Sequence, residues 1–237
     1  MNIDISKVCS DHLRSLAKLA PSWALKASHA RELVAAYFGY KSHAALLAEA
    51  NYPVNDLPMA DVLIPDVKMI EARRQCLTGL PSALPNSMSL AASISAHLVQ
   101  QGLFGGKVWI YESLENYVVE VLLRDEDAHI MNELSGVMAE TNAEFDYADY
   151  ETAEVVEDDD VVRVEVTGQY TGQSDEDRMF CGDQIDMSVT VELIRVAGRA
   201  AFSSPDISAS GEINDDWVDP ELKYGSAAPE HTSETPK

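Results

Sequence analysis

Six acidic residues in two short clusters have the clearest capacity for binding in this sequence. They are Asp158, Asp159, Asp160, Asp175, Glu176 and Asp177. Paired carboxylates can hold calcium or magnesium, but the spacing here matches no calcium-binding loop, because glycine is absent from the sixth position. We therefore expect no metal at either cluster. Their charge instead favours contact with a basic surface on another protein.

Cysteine and histidine are the residues from which a nucleophilic enzyme site could be assembled. A catalytic cysteine needs a base such as histidine within reach, and Cys181, His97 and His129 are the candidates. No feature of the sequence brings these three together. The chain also has no His-x-x-x-His or Cys-x-x-Cys pair of the kind that zinc sites use. We predict no catalytic residues and no cofactor, and keep a Cys/His enzyme as an alternative.

The glycine-rich segment 102–107 is similar in composition to a phosphate-binding loop. The first glycine of that motif would fall on Gln101, and Val108 occupies the position where a magnesium-binding hydroxyl is required. The segment therefore predicts the end of a helix followed by the start of a strand.

The negative charge of the chain is concentrated in its second half. The formal net charge is -23. Residues 1–110 have ten Lys and Arg against eight Asp and Glu, whereas residues 111–237 have seven against thirty-two. A field of this sign repels nucleic acid and anionic lipid and attracts basic protein surfaces. Solubility requires only about 2–8 charges in a small domain, so we interpret the excess as functional.

Hydrophobic residues make up 46% of the sequence, which is enough for a core despite the charge. No run of about 18 apolar residues is present, so no transmembrane helix is expected. Residues 1–6 lack the basic and apolar regions of a secretory signal. The three cysteines are odd in number and widely spaced, which predicts reduced thiols. We expect a cytoplasmic protein that does not contact membranes.

Apolar residues at helical spacing dominate the first hundred residues. The predicted helices are a first run ended by Pro21, Ser28–Phe38, Ser42 to about Ala50, Asp66–Leu77 and about Ser87–Gln101. Ser28 and Ser42 are the expected N-terminal caps of their helices, because a serine hydroxyl accepts a free backbone N–H of the first turn.

The periodicity changes to two from Lys107. The predicted strands are Val108–Tyr111, Tyr117–Leu123, Phe145–Val156, Val161–Tyr170, Ile185–Val196, Arg199–Ser203 and Ile207–Ile213. One helix, Asp125–Asn142, interrupts them. Short connections between consecutive strands imply an antiparallel sheet. We predict an α+β fold, with a helical N-terminal half followed by an acidic antiparallel β-sheet domain with one packed helix.

This change of period and charge predicts a domain boundary. Residues 1–106 form the helical region, which divides into a short module at 1–52 and two further helices at 53–106. Residues 107–218 form the acidic α+β domain. Residues 219–237 are polar and predict a disordered tail.

The most distinctive stretch is Leu25–Glu49, through its segments Leu25–Leu33 and Phe38–Leu46. It resembles a short N-terminal module of uncharacterised accessory proteins of bacterial mobile elements. The resemblance covers about a tenth of the chain. No activity is attached to that module, so the resemblance implies genomic context rather than chemistry.

The same stretch has the spacing of a helix-turn-helix, with Ala35 and Gly39 at the turn. Base readout needs Arg, Lys, Asn or Gln directed at base edges, and a helix starting near Ser42 offers almost none of these. We interpret the stretch as a packing helix pair. A helical DNA-linked transcriptional regulator or adaptor is kept as an alternative function.

These observations lead to one functional hypothesis. The chain is expected to be a non-enzymatic inhibitor that binds a basic nucleic-acid-binding host defence complex through an acidic surface. A CRISPR effector or a restriction enzyme is the expected partner, since both have positively charged channels for nucleic acid. The inhibitor would be of the anti-CRISPR or anti-restriction type and would not bind nucleic acid itself. The helical half would supply a second contact surface or a homodimer interface.

Overall fold

A computed structural model of the chain describes residues 3–18, 25–111, 113–174, 177 and 181–216. Helices of the first hundred residues pack at one end of a seven-stranded sheet. The predicted α+β class and the helical character of the N-terminal half are confirmed. The helices of this half are α1 (Ile5–Lys18), α2 (Ala27–Tyr37), α3 (His43–Ala48), a 3-10 helix (Val54–Met59), α4 (Val67–Cys76) and α5 (Ser87–Gln100).

Side-chain caps fix the starts of three of these helices. The Ser42 hydroxyl accepts the Ala45 N–H at 3.1 Å, and an Asp66 carboxylate oxygen accepts the Met69 N–H at 2.7 Å. Asn86 caps α5 in the same way. The cap predicted at Ser28 is wrong, because α2 already begins at Ala27.

Residues 114–138 are helical, in a series of short segments. These are α6 (Leu114–Tyr117), a π-helical turn (Val118–Leu122), α7 (Leu123–Asp125), α8 (Asp127–Glu133) and α9 (Ser135–Met138). The strand predicted at Tyr117–Leu123 is therefore wrong. Val118 and Leu122, four positions apart, are both buried, and the Ser113 hydroxyl caps the first turn. A short apolar run fits a buried strand or a buried helix equally well, and here the helix forms.

The seven strands form one mixed sheet. They are β1 (Val62–Leu63), β2 (Lys107–Val108), β3 (Ala143–Glu157), β4 (Val161–Ser174), β5 (Gln184–Ala197), β6 (Ala201–Phe202) and β7 (Asp206–Ile213). The order is β2-β1-β6-β5-β4-β3, and β7 pairs with the first part of β5. The pair β1 and β2 is parallel, and the other pairings are antiparallel.

Two apolar clusters hold these elements together. One lies among α1 to α5 and includes Ala197, Ala200 and Ala201 from the second half of the chain. The other lies between the long strands and α6 to α9, and includes Val62 and Trp109. Residues on both sides of position 106 thus share both clusters and the sheet. The division into two domains stays a prediction, and residues 219–237 lie outside the described residues.

In the part of the chain that the structure describes, no helix combines the length and the apolar character that a membrane span requires.

Candidate functional site: the open face of the sheet

The long strands β3, β4, β5 and β7 bury one face and expose the other. On the inner face, Val164, Val166, Val189 and Val191 are fully buried. Each contributes about 1.5–3 kcal/mol relative to an exposed side chain. Because side chains alternate along a strand, the intervening residues lie on the opposite face, which none of the described helices covers. We call this surface the open face.

Carboxylates are spread over all four strands of the open face. They are Glu144, Asp149, Glu151, Glu154, Glu165, Asp186, Glu192, Asp206 and Glu212. Within the described strands, Arg163 is the one cation on this face. The surface is therefore strongly negative over its whole length.

Arg163 neutralises one corner of the open face. Its Nε lies 2.5 Å from a carboxylate oxygen of Glu192, and its Nη1 lies 3.5 Å from Asp158. The hydrogen bond to Glu192 and its charge raise the pKa of Arg163 above the ordinary value. Elsewhere like charges meet directly: Glu154 is opposite Glu165 in the register of β3 and β4.

The centre of the open face is a shallow depression of about 460 Å³. Its walls combine carboxylates with hydroxyl groups, such as those of Ser188 and Ser210. Gln169 donates a hydrogen bond of 2.8 Å to Asp186, and Asn214 donates a second one of 3.0 Å to the same carboxylate. Asp186 is thus held in place, and the depression presents mainly hydrogen-bond acceptors to a partner.

The predicted acidic hairpin lies at one end of the sheet, in the turn between β3 and β4. Asp158, Asp159 and Asp160 are all exposed. Asp158 pairs with Arg163, as described above. The Asp160 carboxylate accepts a hydrogen bond from the Tyr52 hydroxyl, which raises the pKa of Tyr52. This bond joins the turn to the helical half.

The Asp159 backbone carbonyl has a structural contact as well. It accepts a hydrogen bond of 2.9 Å from the Arg195 guanidinium. The hairpin is therefore both a charged turn and an attachment point for the sheet.

Asp177, the described residue of the second predicted cluster, is separated from the first cluster by the length of β4. Asp177 lies in a turn after the far end of that strand, and Asp175 and Glu176 lie outside the described residues. A strand of 14 residues spans roughly 45 Å at about 3.4 Å per residue. The hairpin and Asp177 are thus at opposite ends of the sheet, with the open face between them.

The open face itself was not among the sequence-predicted site residues. The signal that could have revealed it is the alternation within β4 and β5, where Glu165 and Thr190 alternate with buried valines. The alternation identifies exposed positions on each strand, but the strand order is needed to place them side by side.

The candidate enzyme residues have separate partners. His97 stacks on His12 with ring centroids 4.0 Å apart, and His129 Nε2 lies 3.0 Å from the Ile207 carbonyl oxygen. The Cys181 thiol accepts a weak hydrogen bond from Asn142 at 3.5 Å. None of these contacts joins Cys181 to a histidine. Among the described residues, no group of three or more His, Cys, Asp or Glu side chains is arranged to hold a metal ion.

Comparisons with known proteins add no functional information. No protein-family model, curated protein or solved structure matches the chain.

Proposed function

We propose that the protein is a non-enzymatic inhibitor that binds a basic, nucleic-acid-binding complex through its open face. The expected targets are the host defence complexes named above, a CRISPR effector or a restriction enzyme. The proposal is supported by the array of carboxylates over four adjacent strands. Within the described strands, Arg163 is the one cation on the same face. Such an array competes with the phosphate backbone for the same Lys and Arg side chains.

The dimensions of the open face suit a protein partner. Four strands at about 4.8 Å spacing and a length of roughly 40 Å give a surface of roughly 700 Å². A standard interface buries about 800 Å² on each partner. The open face and its bordering hairpin together reach that size.

The charge of the open face supports rapid and salt-sensitive binding. Complementary potentials steer the encounter and raise the association rate, and this effect falls as salt screens the charges. Affinity for a basic channel should therefore decrease steeply between low and high ionic strength.

The proposal is tested by inhibition of purified restriction enzymes and CRISPR effectors. We expect the protein to block DNA binding by at least one of them at a one-to-one ratio. Replacing Glu154, Glu165 and Glu212 with Gln should weaken this inhibition about tenfold or more, corresponding to about 1.4 kcal/mol over three exposed charges.

A matched variant controls for net charge. Asp4→Asn, Asp11→Asn and Asp56→Asn remove three exposed carboxylates from the helical half, and this variant should inhibit as the unmodified protein does. Equal inhibition by both variants, or no inhibition of any complex at low salt, would overturn the proposal. Inhibition at far less than one equivalent would favour the enzyme alternative.

A further inference from the structure

A second concave site lies away from the open face, where the helical half meets the sheet. It is a pocket of about 500 Å³, within the range of about 300–1,000 Å³ that small-molecule sites occupy. One wall is apolar and is formed by Ile64, Leu114, Val155, Val162 and Phe202. Such a wall can cover the apolar part of a ligand.

The topology of the sheet places this pocket at the carboxyl ends of its parallel strands. Residues 64–68 follow β1, and Tyr111, Leu114 and Glu115 come after β2; all of these residues line the pocket. Ligands of open α/β sheets commonly bind outside the carboxyl ends of parallel strands, because the chain diverges there into loops and helix starts. In this sheet the parallel pairing is limited to two residues of each strand, so the pocket shares only its position with those ligand sites.

The polar lining of the pocket is mainly anionic. Three carboxylates, of Asp66, Glu115 and Glu157, line it together with the exposed Lys68. Burial raises the pKa of Asp66, and the nearby Glu157 carboxylate raises it further. A positively charged group in the pocket would relieve this repulsion.

Arg199 also lines the pocket, and its exposed guanidinium is a second cation there beside Lys68. The guanidinium carbon lies 5.8 Å from the centroid of the Tyr40 ring, in the geometry of a cation–π contact. Tyr40 does not belong to the pocket lining. The three carboxylates thus outnumber the two cations, Lys68 and Arg199, and the pocket lining has an excess of one negative charge.

We infer that this pocket binds a small organic amine. The ammonium group lies among Asp66, Glu115 and Glu157, and the apolar body of the amine covers Ile64 and Phe202. This inference does not rest on the proposed function, since it involves other residues on another surface.

Phenethylamine is a suitable probe, because it joins an ammonium group to an apolar ring. Two molecules of similar shape serve as controls: 2-phenylethanol, which is neutral, and 3-phenylpropionate, which is anionic. We expect saturable shifts of the Val155 and Val162 methyl resonances with phenethylamine. The alcohol can donate a hydrogen bond but has no positive charge to pair with the carboxylates, so it should bind about tenfold more weakly, which corresponds to about 1.4 kcal/mol. The anion should not bind.

Variants separate the pocket from the general negative charge. Asp66→Asn keeps the cap of α4, because Asn and Asp cap equally well, and it should weaken amine binding about three- to tenfold. Glu165→Gln removes the same charge from the open face and should leave amine binding unchanged.

Three results would overturn the inference. The first is the absence of saturable shifts with phenethylamine. The second is equal binding of the alcohol and the amine, and the third is equal weakening by Asp66→Asn and Glu165→Gln. None of these results bears on the inhibition assay above, so each of the two proposals can be refuted without refuting the other.

Discussion

Glu154 and Glu165 allow a direct test of whether the open face carries charge at the expense of stability. They are directly opposite each other in β3 and β4, and both are exposed. Opposed residues have Cβ atoms about 4.5–5.5 Å apart. Two carboxylates about 6 Å apart repel by about 0.7 kcal/mol in water, and screening at physiological ionic strength reduces this to about 0.3 kcal/mol.

Glu165→Gln should therefore stabilise the protein by at most about 0.3–0.7 kcal/mol, with the larger value at low salt. The attraction between Glu165 and Arg163 reduces this gain only in part, because Arg163 is already paired with Glu192 and Asp158. Glu165→Lys converts the repulsion into attraction and should about double the gain. The control is Glu192→Gln on the same face. It removes the ion pair with Arg163 together with the repulsion from the directly opposed Asp206, so the two effects offset and the stability should change little.

The assay is urea unfolding in about 0.01 M and about 1 M salt, where the Debye length is about 30 Å and 3 Å respectively. The gains from the Glu165 variants should nearly vanish at the higher concentration. A loss of stability in Glu165→Gln, or a gain that does not change with salt, would show that Glu154 and Glu165 do not repel each other.

Two further predictions concern the helical half. Burial and the stacked His97 lower the pKa of His12, so the unfolded chain binds the proton more readily. The free energy of unfolding should therefore decrease as the pH drops below about 6.5. In urea titrations between pH 7.5 and 5.5, His12→Gln should make this decrease smaller. The same pH dependence in the variant and the unmodified protein would contradict the prediction. The buried Tyr37 hydroxyl lies 2.7 Å from the Ser95 hydroxyl, which also donates to a backbone carbonyl. Ser95→Ala leaves the buried tyrosine hydroxyl without its hydrogen-bond partner and should lower the free energy of unfolding by about 1–3 kcal/mol. Tyr37→Phe should lower it by only roughly 1 kcal/mol. A larger loss for Tyr37→Phe in urea unfolding would contradict this prediction.

Local signals explain why most helices and strands could be predicted. Ser42 caps its helix as predicted, because a cap depends only on residues three positions apart. Asp66, the predicted first residue of its helix, is the cap of that helix. Strand β5 follows the predicted alternation along its whole length. The strand prediction at Tyr117–Leu123 is wrong, because the apolar residues of this segment fit a strand and a helix equally, and only packing decides between the two.

The candidate site needed information that no local pattern contains. Whether Glu154 lies beside Glu165 depends on the register across the acidic turn. Two β-bulges in β3 alter that register at Asp146 and Glu151, and an uncorrected shift of one residue would move every later side chain to the opposite face. The acidic hairpin was visible in the sequence, but its attachment to Tyr52 was not, since the two are far apart in the chain.

Protection of an exposed edge is another reason for a strand to carry charge, because charged side chains prevent edge-to-edge pairing. It accounts for Glu154, since β3 is an edge strand of the sheet. It does not account for carboxylates on the central strands β4 and β5. Of these, Asp186 and Glu192 have hydrogen-bonding partners on the open face.

Glu165 is the central carboxylate for which neither explanation holds. It lies on β4, between β3 and β5, and faces Glu154. Among the described residues, it makes no hydrogen bond or ion pair comparable to those of Asp186 and Glu192. If Glu165→Gln both stabilises the protein and weakens inhibition, the charge at this position is maintained for a partner. If it stabilises the protein without weakening inhibition, Glu165 does not contact the partner, and the triple variant decides whether the rest of the open face does.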